Sequence, residues 1–329
     1  MKVLVLRNDR LGDMLLALPA ARLLKEAGHQ AALLASPYTA PLARRSPDLD
    51  LVLEDGPGIL AQMRAQAFDA ALVLWAKPRN AWLCLAAGIP QRVGISGRWH
   101  SLLYSRRLGP RRSRGERHES ELNADFARAL GAPLAEAPAP RLALLAEDHA
   151  AAEACLQGLG LLGEGGPLVL LHPGMGGSAL NWAPGRYAEL AAALQARLGA
   201  RALFTGGPAE RAGLAALAAA APGAKALDRD LSLPAFAALL SRARLFASGS
   251  TGPMHVAAAV GAPTLSFFPP VRPMSPLRWA PRGSLRQVLS PSGLGATCPR
   301  CRGQACPFFD CMDRITVDRA VAAAEVLLT

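Results

Sequence analysis

Residues 245–270, LFASGSTGPMHVAAAVGAPTLSFFPP, constrain what this chain can fold into more than any other stretch. An apolar run ending at Ala247 has the length of a buried strand. Ser248 to Gly252 reads as a tight turn, and Pro253 to Val260 as a short helix with proline in its first turn. A second apolar run, 263–268, follows. A strand that empties into a Gly/Ser/Thr turn opening a helix leaves unpaired backbone N–H groups, and the positive end of the helix dipole, at the end of a sheet. That geometry suits a phosphate, and His255, about one turn in, adds a hydrogen bond or a positive charge. The same residues also suit an ordinary strand-turn-helix joint with a satisfied, semi-buried histidine. This segment alone leaves both readings open.

The pattern recurs along the chain. Residues 2–6 form an apolar β-type run, followed by the loop 7–13 (RNDRLGD) and a Leu/Ala-periodic stretch over 14–27. Short strands are expected at 31–35, 51–53 and 70–74, with helical patterns or turns between them. After the Pro/Ala-rich passage 132–141 and a second joint at 163–167, the alternation begins again. It runs through LVLLH (168–172), a helix over 184–198, ARALFTGG, a helix over 209–221, a helix near 233–241 and the opening stretch. Strands alternating with helices predict parallel sheets covered on both faces. The expected fold class is therefore α/β, with two Rossmann-like domains facing across a cleft, residues 1–150 and 151–329, and the boundary falling within about 135–167. At 329 residues each domain has room for its own core.

Composition narrows the partners. The net charge is +11, and only Lys2, Lys25, Lys77 and Lys225 are lysines among 36 basic residues, so the basic side is nearly all arginine. A planar guanidinium suits phosphates and carboxylates, and an anionic partner is expected. A GC-rich genome would produce much of the same bias. The clustering is more specific: residues 91–118 carry Arg92, Arg98, Arg106, Arg107, Arg111, Arg112, Arg114 and Arg117 among glycines and a proline. This segment reads either as a solvated loop or as a basic lip for a phosphorylated acceptor or an anionic membrane. No window of about 18 apolar residues occurs and no signal peptide is indicated, so a cytoplasmic protein is expected.

Candidate site residues lie at the strand ends. In the first half, Asp13 starts a helix, where a carboxylate serves as a cap or as something more. In the second half, His172, Gly174, Gly176, Gly177 and Ser178 follow one strand, and the glycines let backbone N–H groups approach a pyrophosphate. Thr205 to Glu210 follow the next strand, with Glu210 placed to take a ribose hydroxyl. Ser250, Thr251, Gly252 and His255 complete the set. Three such loops converging on one crevice are stronger evidence than any one of them.

Five motifs in order, RNDRLGDMLLALPAARLLK, HPGMGGSALNWAPGRYAEL, TGGPAER, SGSTGPMHVAAAVGAPTLSFF and the late cysteine stretch, resemble those of family-nine glycosyltransferases, the ADP-heptose:lipopolysaccharide heptosyltransferases. The resemblance covers essentially the whole chain. It implies the GT-B architecture, an acceptor-binding N-terminal domain and a nucleotide-sugar-binding C-terminal domain. It also implies inverting transfer from an ADP-sugar to a phosphorylated lipid A-core precursor, with Asp13 as general base and Thr251, Gly252 and His255 on the diphosphate. Arg7, Arg10 and Arg98 are assigned to the acceptor. No cofactor is expected for catalysis, and contact with the cytoplasmic face of the inner membrane fits such an acceptor. Two positions depart from the family pattern: Leu180 stands near where a lysine is common, with Ala183 inserted after Trp182, and Ser250 stands where an aspartate commonly precedes Thr-Gly. Both departures bear on the donor sugar.

Cys84 and Cys155 read as small buried apolar residues. Cys298, Cys301, Cys306 and Cys311 have C-x2-C-x4-C-x4-C spacing, compact enough for one structural zinc, and equally compatible with reduced thiols packing a loop or with disulfides. With the arginines they also suggest a nucleic-acid-binding protein, but Tyr and Phe are sparse and no basic-aromatic platform appears. A nucleotide-sugar epimerase is a further alternative. Nucleic acid is not expected as a partner.

Overall fold

The strands form where the sequence offers short apolar runs with no polar face, the pattern of strands buried on both sides. The computed structural model describes residues 1–109, 115–163, 165–174, 176–177, 179–283, 285–291, 298–308 and 310–328. Arg111, Arg112, Arg114 and Ser178 lie outside the described residues. The chain divides into two compact units, the first carrying the chain as far as Ala143 and the second running from Leu144.

In the first unit, β1 (Lys2–Leu6), β2 (Gln30–Ala35), β3 (Leu51–Glu54), β4 (Ala70–Val73), β5 (Gln91–Ile95) and β6 (Arg106–Leu108) make one sheet. Its order is β3-β2-β1-β4-β5-β6, with every pair parallel. In the second unit, β7 (Leu168–His172), β8 (Arg201–Phe204), β9 (Lys225–Ala226), β10 (Leu245–Gly249), β11 (Thr264–Phe267) and β12 (Arg286–Leu289) make another. Its order is β12-β11-β10-β7-β8-β9, again all parallel. Both are doubly wound, and both reverse strand order beside their first strand, between β1 and β4 and between β7 and β10. Crevices at such reversals are where open α/β sheets take ligands.

Two strands occupy the arginine-rich segment that reads as a loop. β5 and β6 tolerate arginine because they lie toward one edge, where guanidinium groups can leave the sheet. Arg92 donates from Nε to the Leu103 carbonyl at 2.7 Å and from Nη1 to the Ile89 carbonyl at 2.6 Å. Gly94, taken from sequence as a breaker, sits within β5, where a Cβ would fall 2.2 Å from the buried Tyr104 ring. The glycine makes room for the aromatic side chain.

Each sheet buries its own core. Leu4, Leu6, Phe68, Val73 and Tyr104 anchor the first. In the second, Trp182 stacks on Phe267 with ring centroids 4.2 Å apart and donates its indole N–H to the Ile315 carbonyl at 2.8 Å. That bond satisfies the one polar atom of a fully buried indole and fixes the chain just beyond the His172 loop.

Candidate active site

In the first unit the reversal point is occupied by charge. Arg7 follows β1 directly, is buried, and donates from Nη1 to the Leu74 carbonyl at 3.2 Å, tying the ends of β1 and β4 together. Its guanidinium faces three carboxylates: Asp9 at 3.0 Å, Glu119 at 3.5 Å, and Asp13 through Nη2. Glu119 opens the helix Glu119–Arg128 and is fully buried. Burial works against the Arg7 charge, but Asp13, Asp9 and Glu119 more than offset it and hold its pKa above the ordinary value. Arg7 thus sits among three carboxylates. Asp9 shows the strain: burial foremost, and Asp13 beside it, push its carboxyl from 3.8 up to about 6 in spite of Arg7.

Asp13 lies in the first turn of the helix Leu11–Leu15 and keeps 18% of its side chain open to solvent. It is therefore both held by Arg7 and reachable. Arg10, the residue preceding that helix, is exposed, as is Arg98. Arg7, by contrast, is turned inward and engaged by carboxylates, which makes it a partner of Asp13.

In the second unit the reversal point is nearly neutral. Thr205, His172, Ser248 and Ser266 form a row at the carboxyl ends of β8, β7, β10 and β11, since Ser248 is in register with both His172 and Ser266. His172 Nδ1 lies 3.0 Å from Thr205 Oγ1. Burial drives the His172 pKa down to about 4, with Glu210 pulling the other way, so the imidazole is neutral at physiological pH. All four side chains are buried, and the Ser266 hydroxyl has no hydrogen-bond partner.

The loops close over this row. Glu210 accepts from the Gly207 N–H at 2.7 Å. A Cβ on Gly174 would lie 1.9 Å from Glu210 Oε1, and one on Gly206 would lie 2.8 Å from Oε2. The two glycines thus let one carboxylate seat between the loops after β7 and β8. Gly176 and Gly177 adopt φ of +52° and +70°, a left-handed pair that other residues rarely take. Asn181 donates to the Pro173 carbonyl, holding the same loop from its far side. After β10, Thr251 precedes the helix Gly252–Ala259 without capping it, so the first N–H groups of that helix have no side-chain acceptor from their N-cap. His255 is buried in the same helix. The structure therefore gathers His172, Gly174, Gly176, Gly177 and Glu210 around adjoining loops, with Ser250, Thr251, Gly252 and His255 at the neighbouring strand end.

Cys84 and Cys155 are buried free thiols. Burial pushes Cys84 up to about 12. Cys298, Cys301, Cys306 and Cys311 are also free and line one cavity of about 130 Å³, together with Leu180, Pro270, Val271 and Phe308. Among the described residues no three His, Cys, Asp or Glu side chains come together as a metal-holding group. Leu180 packs against the core and this cavity, which accounts for an apolar residue near a position where the family pattern favours lysine.

The sequence profile of glycosyltransferase family 9 (heptosyltransferase) matches residues 59–307. The chain belongs to this family. A Haemophilus influenzae protein provisionally named a glycosyltransferase is 33% identical over 296 residues, covering 85% of this chain and 86% of its own. The fold agrees with solved members. The E. coli ADP-heptose LPS heptosyltransferase II is 22% identical, with 100% and 98% of the two chains covered and a TM-score of 0.81. E. coli heptosyltransferase WaaC with ADP is 20% identical, with 99% and 100% covered and a TM-score of 0.71. The fold is thus of GT-B type, and this family-nine chain is a glycosyltransferase.

Asp9, Glu119, Ser248 and Ser266 stand at these two reversals without being singled out as candidates from the sequence. Glu119 reads as an ordinary first-turn acid, because nothing local announces a partner at Arg7. Ser248 and Ser266 do leave a trace: each is a hydroxyl placed near the carboxyl end of an otherwise apolar strand.

Proposed function

We propose that this family-nine enzyme moves a heptose, with inversion, from an ADP-sugar to a phosphorylated glycolipid of the lipopolysaccharide core. The observation that carries the reading is the contrast between the two sheet reversals: an accessible carboxylate held by a buried arginine in one, and helix N–H groups with glycine loops in the other. The first suits proton abstraction and the second suits a diphosphate.

In the reaction, Asp13 takes the proton of the acceptor hydroxyl as that oxygen attacks the anomeric carbon. The bond from that carbon to the diphosphate oxygen breaks, and its electron pair leaves with ADP. The negative charge growing on the leaving group is met by the N-terminus of Gly252–Ala259, Thr251 and His255. Glu210, fixed by Gly207, is placed for the ribose. This division of labour needs no metal at the diphosphate, and turnover is expected to persist in a chelator. Arg10 and Arg98 receive the acceptor's phosphates. The Ser250 hydroxyl replaces a carboxylate common in the family, so the sugar is the part of the donor to test most broadly.

A thermal-shift and turnover panel of ADP-, UDP- and GDP-sugars tests the assignment. ADP and ADP-heptose are expected to stabilise the protein, and only ADP-heptose to be turned over. Absence of any nucleotide effect would remove the donor site, and preference for a UDP- or GDP-sugar would remove the ADP assignment.

A further inference from the structure

The first unit carries a surface that the transfer chemistry does not use. From Ala70 to Gly115 the chain has no Asp or Glu, while it holds Lys77, Arg79, Arg92, Arg98, Arg106, Arg107, Arg111, Arg112 and Arg114. Within the same span, four large apolar side chains stand in solvent: Trp82 at 53%, Leu85 at 44%, Trp99 at 73% and Leu102 at 74% exposed. Their placement follows from two short helices. The helix Pro78–Ala86 buries Asn80, Ala81, Leu83 and Cys84, which leaves Trp82 and Leu85, three residues apart, on its outer face. The 3-10 helix Trp99–Leu103 buries His100 and Ser101 and displays Trp99 and Leu102, which eclipse at its three-residue period. The two helices pack against each other.

Arg79 is paired with Asp55 at 2.8 Å, whereas the described arginines around Trp99 and Leu102 bond mainly to backbone. Arg92 and Arg107 spend their hydrogen bonds on backbone carbonyls, and Arg106 does the same toward Ala129. Arg98, Arg106 and Arg107 are exposed. Exposed tryptophan and leucine among arginines, in a span of chain without acidic residues, match the layered chemistry of an anionic bilayer: phosphate headgroups outside, acyl chain and interface beneath. A protein partner of matching shape would not require 46 consecutive residues free of acid.

We infer that Trp82, Leu85, Trp99 and Leu102 dip into an anionic lipid surface, with Arg106 and Arg107 on the headgroups. The inference rests on the lipid-acceptor reading above and assigns that lipid's membrane a docking face on this unit. No helix among the described residues is long and apolar enough to cross a membrane.

The test is co-sedimentation of the full chain with phosphatidylglycerol-containing vesicles and with pure phosphatidylcholine vesicles, over a range of salt. Binding to the anionic vesicles that weakens with salt, with little on phosphatidylcholine, is expected. Trp99→Ser/Leu102→Ser should weaken it about tenfold or more, and Trp82→Ser/Leu85→Ser similarly. All four residues are exposed, and the thermal shift with ADP reports that each variant is folded. Equal binding to both vesicle types, or undiminished binding by both variants, would overturn the inference. So would absence of vesicle binding together with a concentration-dependent dimer that the same variants abolish, which would assign the face to a second copy. Loss of the ADP shift with vesicle binding intact would instead count against the donor site alone.

Discussion

The two sheets have the same strand order and place their loops at the same reversal, yet the chemistry at the two reversals is opposite. In the first unit a buried arginine is outnumbered by Asp9, Asp13 and Glu119. In the second, the buried groups are hydroxyls and a neutral imidazole, and the neighbouring helix Gly252–Ala259 starts without a side-chain cap. A fold therefore supplies the crevice, and the residues at its edge decide whether it holds a base or an anion.

The largest break of this contrast comes from removing the cation. Arg7→Met removes the buried cation that Asp9, Asp13 and Glu119 share and should cost the first unit about 3–5 kcal/mol, read by denaturant melts, while ADP still protects amides of the second. Simultaneous loss of ADP protection would show that the charged cluster also builds the donor site.

Titration sharpens the contrast by sign. Asp9 is raised from 3.8 to about 6, so its contribution favours folding below pH 3.8 and is lost as pH rises to 6. His172 is lowered from 6.5 to about 4, so its contribution is present above pH 6.5 and is lost as pH falls to 4. Each is worth on the order of 2–3 kcal/mol. Between pH 6.5 and 4, hydrogen-exchange protection should change in opposite directions for the Asp9 and His172 contributions. Asp9→Asn is expected to remove the trend in β1, and His172→Gln the trend in β7. Trends unaltered by both variants would detach them from these residues.

Gly174→Ala drives a Cβ into Glu210 and should destabilise the second unit by about 1–3 kcal/mol, with ADP affinity falling alongside; an unchanged melt would mean that Glu210 moves freely. The smallest effect is expected from Thr251→Val, which deletes one neutral donor worth about 1 kcal/mol and should weaken ADP binding several-fold in a titration. No change in affinity would remove the hydroxyl from the diphosphate site.

The sequence made the strands legible because burial on both faces leaves apolar runs that need no partner to be recognised. β1, β2, β7 and β10 fall where the runs lie. β5 and β6 escape notice because edge strands can carry arginine, and because Gly94 marks a close approach by Tyr104 that only the fold creates. The glycine loops are likewise visible, since left-handed backbone at Gly176 and Gly177 demands that residue type. The Arg7 cluster is not: Glu119 and Asp13 are far apart in sequence, and the spacing of acids along a chain says nothing about which of them share a cation. The late cysteines show the converse limit. Their spacing brings four thiols to one cavity, but spacing alone does not say whether a metal joins them.

The claim that one unit supplies the base and the other the anion site is tested most directly by Asp13→Asn, with turnover of the ADP-sugar and the dissociation constant of ADP measured on the same preparation. Turnover is expected to fall roughly 10²–10⁴-fold with ADP affinity unchanged. Full turnover, or a parallel loss of ADP binding, would contradict the account.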